Sequence, residues 1–297
     1  VTAKIIEGTK IAEEIREELK VRVERLREKG VIPGLVMVRV GEDPASVSYV
    51  KAKSKASEEL GIYSETIVLS EDAKEEEVLA KVDELNRDPR FHGILVQLPL
   101  PKHIDSDKVL NAMEPRKDVD GFHPVNVGRL LIGEPYFLPC TPHGVQQLLL
   151  RSGYDPGGKH VVICGRSNIV GKPLMAILVQ KKKGANATVT VCHTGTRDLA
   201  ATTRQADILI AAMGSPKAIT ADMVKDGAVV IDVGVNRIPD ATKKSGYRLV
   251  GDTDFDAIKE KAEAISPVPG GVGPMTVTML MVNTVRAAEE QSGLKTN

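Results

Sequence analysis

The sequence predicts an α/β protein of two domains, each a mostly parallel sheet flanked by helices, the second a Rossmann-like dinucleotide-binding domain. Three observations predict it. Short runs of Val, Ile and Leu alternate with amphipathic stretches of helical period, the pattern of parallel strands joined by crossover helices. The alternation occurs twice, on either side of an irregular, Pro- and Gly-rich stretch from Pro115 to Pro142. The chain, at 297 residues, is long enough for two domains of ordinary size.

In order along the chain, residues 8–29 read as an amphipathic helix with Ile11, Ile15, Leu19, Val23 and Leu26 on one face. Leu35–Val40 reads as a strand, about 46–60 as a helix stopped by Gly61 and capped by Asp43 or Ser46, and Ile62–Leu69 as a strand. A helix over about 73–86, a strand over Gly93–Leu98 and a helix over Asp105–Met113 close the first series. The second series has strands at 160–164, 188–192, 207–213 and 228–233, with helices at about 173–183 and 198–205. Met275, Val277, Met279, Leu280, Val282 and Val285 recur at helical spacing after Pro274, in a helix expected to return to the first domain. The predicted domains are therefore residues 1–145 plus 275–297, and residues 146–274.

Composition excludes several functions. The 40 basic and 40 acidic residues cancel, and aromatics make up 3% with no Trp, so neither a nucleic-acid surface nor stacking platforms are expected. Cys140, Cys164 and Cys192 show no paired spacing and read as reduced thiols of a cytoplasmic protein. The N-terminal residues lack the apolar core of a signal peptide. Ile265–Val285 carries no charge, but Pro267, Pro269, Gly270, Gly271, Gly273 and Pro274 would break a spanning helix, so no membrane association is expected. The six histidines show no metal-binding spacing, and no metal is expected.

The most informative run is Val161–Pro173: a buried strand, the turn Gly165-Arg166-Ser167, and a helix with Pro173 in its first turn. Nucleotide pyrophosphates bind at such turns, where helix N-terminal amides face outward. The spacing departs from G-x-G-x-x-G, with Ser167 in place of the middle glycine and Gly171 one residue late. By itself the turn fits an ordinary strand–helix connection as well as a cofactor site. An NAD site usually carries an acid at the end of its second strand, but Val191–Arg197 has none. Arg166, Thr194 and Arg197 suit a ribose phosphate instead, which favours NADP.

Other residues are candidates for chemistry. Tyr49 and Lys53, four apart, project from one helix face at the carboxyl end of a parallel strand, where open α/β sheets place ligands. Lys51, Lys53 and Lys55 disfavour one another's charge, and a lysine withdrawn into a crevice is suited to proton transfer; a solvated basic face explains the run equally well. Gln97 is a lone polar side chain ending an apolar strand at the same sheet edge, and bonding to a loop backbone is its ordinary fate. In Lys117-Asp118-Val119-Asp120-Gly121 a carboxylate is placed to grip the amidine-like edge of a heterocycle, or is a turn acid satisfied locally. The glycines of Pro267–Thr276 allow close backbone approaches, and an interdomain linker explains the prolines.

Together, Tyr49-x-x-x-Lys53, Val96–Leu100, Lys117–Phe122, Pro139–Pro142, Gly165–Gly171 and Pro267–Thr276 resemble the bifunctional methylenetetrahydrofolate dehydrogenase/methenyltetrahydrofolate cyclohydrolase (FolD) family, in family order over almost the whole chain. The unusual glycine turn is the one this family carries. The resemblance implies NADP-dependent oxidation of 5,10-methylenetetrahydrofolate and hydrolysis of the product to 10-formyltetrahydrofolate in one-carbon metabolism, by a cytoplasmic homodimer. It implies Lys53 as general acid/base, Gln97 tuning it, Tyr49 orienting the folate and Asp120 holding the pterin edge. It also implies Gly165, Arg166, Ser167, Thr194 and Val235 around NADP, and substrate contacts from Pro269, Gly270 and Gly273. Thr194 and Val235 replace a common Ser and Ile, both conservative changes. A shikimate-dehydrogenase-like NADP enzyme would explain the turn and the lysine, but not Lys117–Phe122 or Pro267–Thr276. A catalytically silent nucleotide sensor would not need Lys53, Gln97 and Asp120.

Overall fold

A computed structural model describes residues 2–243 and 245–294; Val1 and Asn297, the outer ends of the segments assigned to the first domain, lie outside the described residues. The elements are, in chain order, β1 (Lys4–Ile5), α1 (Gly8–Glu28), β2 (Gly34–Val40), α2 (Pro44–Leu60), β3 (Tyr63–Leu69), α3 (Glu75–Arg87), β4 (Gly93–Val96), α4 (Ser106–Asn111), α5 (Pro124–Leu131) and α6 (Cys140–Arg151). There follow β5 (His160–Cys164), α7 (Gly171–Leu178), β6 (Thr188–Cys192), α8 (Leu199–Thr203), β7 (Ile208–Ala211), β8 (Val229–Asp232), β9 (Asn236–Pro239), β10 (Tyr247–Val250), α9 (Phe255–Ile258), β11 (Ala264–Ile265) and α10 (Val272–Gln291). The chain forms two compact units, one of residues 14–140 and 277–297, the other of residues 1–13 and 141–276.

The unit holding residues 14–140 has a parallel sheet of order β3-β2-β4. All seven residues of β2 are buried, as a central strand covered on both faces requires. Val36, Val38, Val78, Val82, Leu85, Phe91 and Ile94 form one core on this sheet. Ile15, Leu19, Val23 and Leu26, the predicted apolar stripe of α1, are all buried. Asp43 caps α2 by accepting from Ser46 N at 2.8 Å, and Gly61 ends that helix at φ 70°. From α10, Glu289 is paired to Arg22 at 2.7 Å.

The other unit has a parallel sheet of order β1-β11-β8-β7-β5-β6, and β9 and β10 form an antiparallel hairpin. Its core is aliphatic, with Val162, Leu209, Val230, Ile258 and Ile265 buried together.

Both sheets reverse direction at an inner strand. In the first, the chain goes from β2 outward to β3 and returns on the other side of β2 as β4. In the second, it goes from β5 outward to β6 and returns beside β5 as β7. Ligands of open α/β sheets bind outside the carboxyl ends of strands at such switch points.

Candidate active site and nucleotide edge

At the switch point of the smaller sheet, the end of β4 meets the helix that follows β2. Gln97 N donates to Val38 O at 2.8 Å, which continues the ladder one residue beyond β4. The Gln97 amide then donates to Leu98 O at 2.7 Å, fixing its orientation, and its Oε1 accepts from Lys53 Nζ at 2.9 Å. Lys53 is 8% exposed although Lys51 and Lys55, on the other faces of α2, are exposed. The basic run thus divides: two lysines face solvent and the middle one is withdrawn. Tyr49, one turn earlier, remains 46% exposed.

Asp120 is half-buried near this amine. Burial raises its carboxyl above the usual range, while the positive charge of Lys53 and a hydrogen bond with Cys140 draw it down. The loop that carries it is over-determined. Ile94 N donates to Lys117 O at 2.7 Å, extending β4's edge into the loop. The Lys117 amine is buried and donates to Leu85 O and Asp88 O at 3.2 and 2.7 Å. Asp118, wholly buried, accepts from Gly121 N, His123 N and Asn126 Nδ2 at 3.1, 2.7 and 2.8 Å. From α10, Asn283 Nδ2 donates to Val119 O and Leu138 O, each at 2.8 Å.

Lys53, Gln97 and Asp120 are therefore brought together, and Tyr49 shares the helix of the first. Cys140 and Asn283 complete the surroundings without having been singled out as site residues. Asn283 carried a legible signal: it is a lone amide among Met279, Leu280, Val282 and Val285, and a buried amide must find partners.

Burial pushes the Asp118 carboxyl up to about 6, against an ordinary value of 3.8, its hydrogen bonds opposing the shift. Between these values the unfolded chain has lost a proton that the folded chain keeps. Stability from this group is therefore greatest below pH 3.8 and falls as pH rises, until both states are ionised above about 6. The difference is on the order of 3 kcal/mol. Urea unfolding from pH 4 to 7 should show Asp118→Asn lacking this decline; parallel profiles for both proteins would contradict it.

In the larger sheet the candidates lie along one edge, at the carboxyl ends of parallel strands. Gly165 follows β5 at φ 137°, and a Cβ there would fall 2.1 Å from Ala212 O, beyond β7. A Cβ on Gly171 would fall 2.0 Å from Gly165 O. The turn is closed tightly at the switch point and admits only glycine at both positions. Ser167 Oγ accepts from Val170 N at 3.1 Å, before α7. Gly165 N donates to Cys192 O at 2.9 Å, which sets the turn beside the end of β6, where Thr194 is exposed. Val235, 46% exposed, lies past the end of β8. Pro269 and Gly270 lie in the loop between β11 and α10, and Gly273 in the first turn of α10. Their loop is pinned where α1 begins: Thr9 N donates to Gly270 O at 3.0 Å, and a Cβ on Gly8 would fall 1.8 Å from Gly271 O.

These residues fit a phosphorylated dinucleotide. The glycine turn allows close backbone approach, Arg166, Ser167, Thr194 and Arg197 are exposed beside it, and no carboxylate stands between Cys192 and Arg197. Among the described residues no group of three or more His, Cys, Asp or Glu is arranged to hold a metal, and no helix is long and apolar enough to cross a membrane.

Fold and edge chemistry together define an α/β enzyme of the dinucleotide-binding class. Family models narrow the class: tetrahydrofolate dehydrogenase/cyclohydrolase catalytic domain matches residues 6–120, and the NAD(P)-binding domain of the same name matches residues 139–292. The chain belongs to the tetrahydrofolate dehydrogenase/cyclohydrolase family. It is 61% identical over 290 residues to the "Bifunctional protein FolD" of Syntrophus aciditrophicus, covering 98% of this chain and 99% of that one. Among solved structures it is similar to the bifunctional FolD methylenetetrahydrofolate dehydrogenase/cyclohydrolase of Campylobacter jejuni, with 48% identity, TM-score 0.91, and coverage of 97% and 99% of the two chains. It is also similar to the Trypanosoma brucei methylenetetrahydrofolate dehydrogenase-cyclohydrolase complexed with NADP and an inhibitor, with 40% identity, TM-score 0.93, and coverage of 98% and 99%. The shikimate 5-dehydrogenase of Thermus thermophilus is 14% identical with TM-score 0.51, a likeness of fold alone.

Proposed function

We propose that this chain carries out two consecutive reactions on a reduced folate: NADP-dependent oxidation of 5,10-methylenetetrahydrofolate to 5,10-methenyltetrahydrofolate, then hydrolysis to 10-formyltetrahydrofolate. The single observation that carries the reading is the buried Lys53 amine held by Gln97 at 2.9 Å. A shikimate-dehydrogenase-like activity is not favoured, because the Lys117–Gly121 loop around Asp120 has no use in it.

NADP, when bound, supplies the hydride acceptor, and the methenyl cation left behind is resonance-stabilised, so oxidation asks the chain for positioning and not for a base. Hydrolysis differs. Water must lose a proton as it adds to the methenyl carbon, and the ring nitrogen must gain one as the carbon–nitrogen bond breaks. The added hydroxyl then releases its remaining proton to solvent as the formyl C=O forms. Lys53 is placed for the first two transfers. Gln97 Oε1 is an acceptor whose orientation is fixed by the bond to Leu98 O, so it holds a hydrogen of the lysine in either protonation state. The two other positions on the amine are thereby directed away from Gln97, one of them free for substrate. Asp120 grips the pterin edge, with Cys140 and Lys53 favouring its ionised form against burial. Tyr49, still exposed, supplies a ring to stack on the folate.

Gly165, Arg166, Ser167, Thr194 and Val235 line the cofactor, and Pro269, Gly270 and Gly273 contact substrate. The working form is a cytoplasmic homodimer. Arg166 provides the preference for the ribose phosphate, since a guanidinium bonds a phosphate with charge-assisted strength. Arg166→Ala should raise the KM for NADP about tenfold or more while changing that for NAD far less; equal losses for both nucleotides would remove the argument for NADP.

A further inference from the structure

We propose that Asp252 is a positioning residue for the cofactor, a buried carboxylate that ties the loop after β7 to the loop after β8 and so sets Met213 and Val235 on the nucleotide edge. The inference rests on the reading that this edge takes NADP.

Asp252 is wholly buried, and both its oxygens are used. Oδ2 accepts from Met213 N and Gly214 N at 2.6 and 2.9 Å. Oδ1 accepts from Ser215 N and Asn236 Nδ2, each at 2.9 Å. Three successive amides of the loop beyond β7 thus converge on one carboxylate, which also holds the residue following Val235. The loop beyond β7 stands beside the β5 turn, at the switch point. Its Met213 is 38% exposed and Val235 is 46% exposed, two large apolar side chains left open on neighbouring strand ends.

Asp252 is itself held. Its backbone N donates to Asp232 Oδ1 at 2.9 Å, and Asp232 Oδ2 accepts from Thr253 N and Oγ1 at 2.8 and 2.6 Å. Glycines make room for both acids: a Cβ on Gly234 would fall 2.2 Å from the Asp252 carboxyl carbon, and one on Gly251 would fall 1.9 Å from Asp232 Oδ2. Burying two carboxylates side by side is costly. A loop needed only to cover the core would be satisfied by ordinary turns. Here one carboxyl group fixes the shape of two loops that carry exposed apolar side chains.

The variant Asp252→Asn keeps the volume but turns an NH2 toward two donors in either orientation of the amide. Asn236→Ala is the milder cut, removing the link from Asp252 to the Val235 loop together with a longer contact to Val250 O. NADPH is titrated into both variants and the unaltered protein by its fluorescence, and hydrolysis of methenyltetrahydrofolate is measured without nucleotide on the same samples. Asp252→Asn should weaken NADPH binding about tenfold or more, and Asn236→Ala about threefold, with hydrolysis within about twofold. If Asp252→Asn does not fold, Asn236→Ala decides. Unaltered NADPH affinity in a folded variant overturns the assignment, as does an equal loss of hydrolysis and binding in Asn236→Ala. Failure of the unaltered protein to bind NADPH would instead overturn the reading of the edge itself.

Discussion

Lys53→Met should lower hydrolysis of methenyltetrahydrofolate by about 10²–10⁴-fold or more, the range that a positioned proton-transfer group supplies, while NADPH binding is retained. Methionine retraces the lysine stem as far as Cε and suits the 8% exposure of the site, so the substitution removes the amine with little change in packing. It leaves Gln97 Oε1 without its partner and takes from Asp120 the positive charge that draws its carboxyl down. The Asp120 proton is then held more tightly, which should also weaken the ionic recognition of the pterin edge proposed for this carboxylate. Hydrolysis is followed by the loss of methenyltetrahydrofolate absorbance, and nucleotide binding by NADPH fluorescence. Hydrolysis at the original rate would remove Lys53 from the mechanism.

Gly165→Ala is the second large effect, and it falls on the fold before it falls on the cofactor. The new Cβ would lie 2.1 Å from Ala212 O, a backbone atom with no freedom to swing away, at a φ of 137° that side chains rarely adopt. Overpacking and backbone strain together should cost about 2–5 kcal/mol. The β5 turn must separate from the β7 end to relieve the clash, opening the switch point where the cofactor is proposed to sit. Urea unfolding should show the loss of stability, and NADPH titration should show affinity reduced about a hundredfold or more. An unaltered midpoint with unaltered affinity would mean that the turn tolerates what its geometry forbids.

The two alternating series were legible because buried parallel strands are near-continuous apolar runs, as in Val161–Cys164 and Leu35–Val40. Periodicity placed the α1 stripe for the same reason, and side-chain chemistry narrowed the α2 cap to Asp43 or Ser46, of which the structure uses Asp43. The helix α5 was not legible: Pro124 and Gly128 read as breakers within a Pro- and Gly-rich stretch. Yet proline suits a first helical turn, and His123 Nδ1 caps the helix by accepting from Val125 N. The two-residue strands β1 and β11 have no period to read and exist only through their pairing with each other and with β8. The helix after β5 stops at Leu178, short of the expected 183, because Lys181–Lys183 lead into the positive-φ Gly184 and Asn186 instead of continuing an apolar stripe.

The sequence offers the candidate residues but not the geometry that joins them. Lys53 and Gln97 are 44 positions apart, and only the return of β4 beside β2 makes them neighbours. The same run that made Lys53 a candidate, Lys51 to Lys55, fits a solvated face equally well; burial of the middle lysine alone separates the two readings. Asp252 left no trace in the sequence, because its loop partners are mostly backbone amides, which every residue but proline carries.

The central claim, two reactions in succession on one folate, is tested most directly by mixing the protein with NADP and 5,10-methylenetetrahydrofolate and following NADPH and 10-formyltetrahydrofolate together. The account predicts that both rise, in equal final amounts, with no other enzyme present. NADPH formation with methenyltetrahydrofolate accumulating at its uncatalysed rate of decay would contradict the hydrolytic half, and absence of NADPH would contradict the whole.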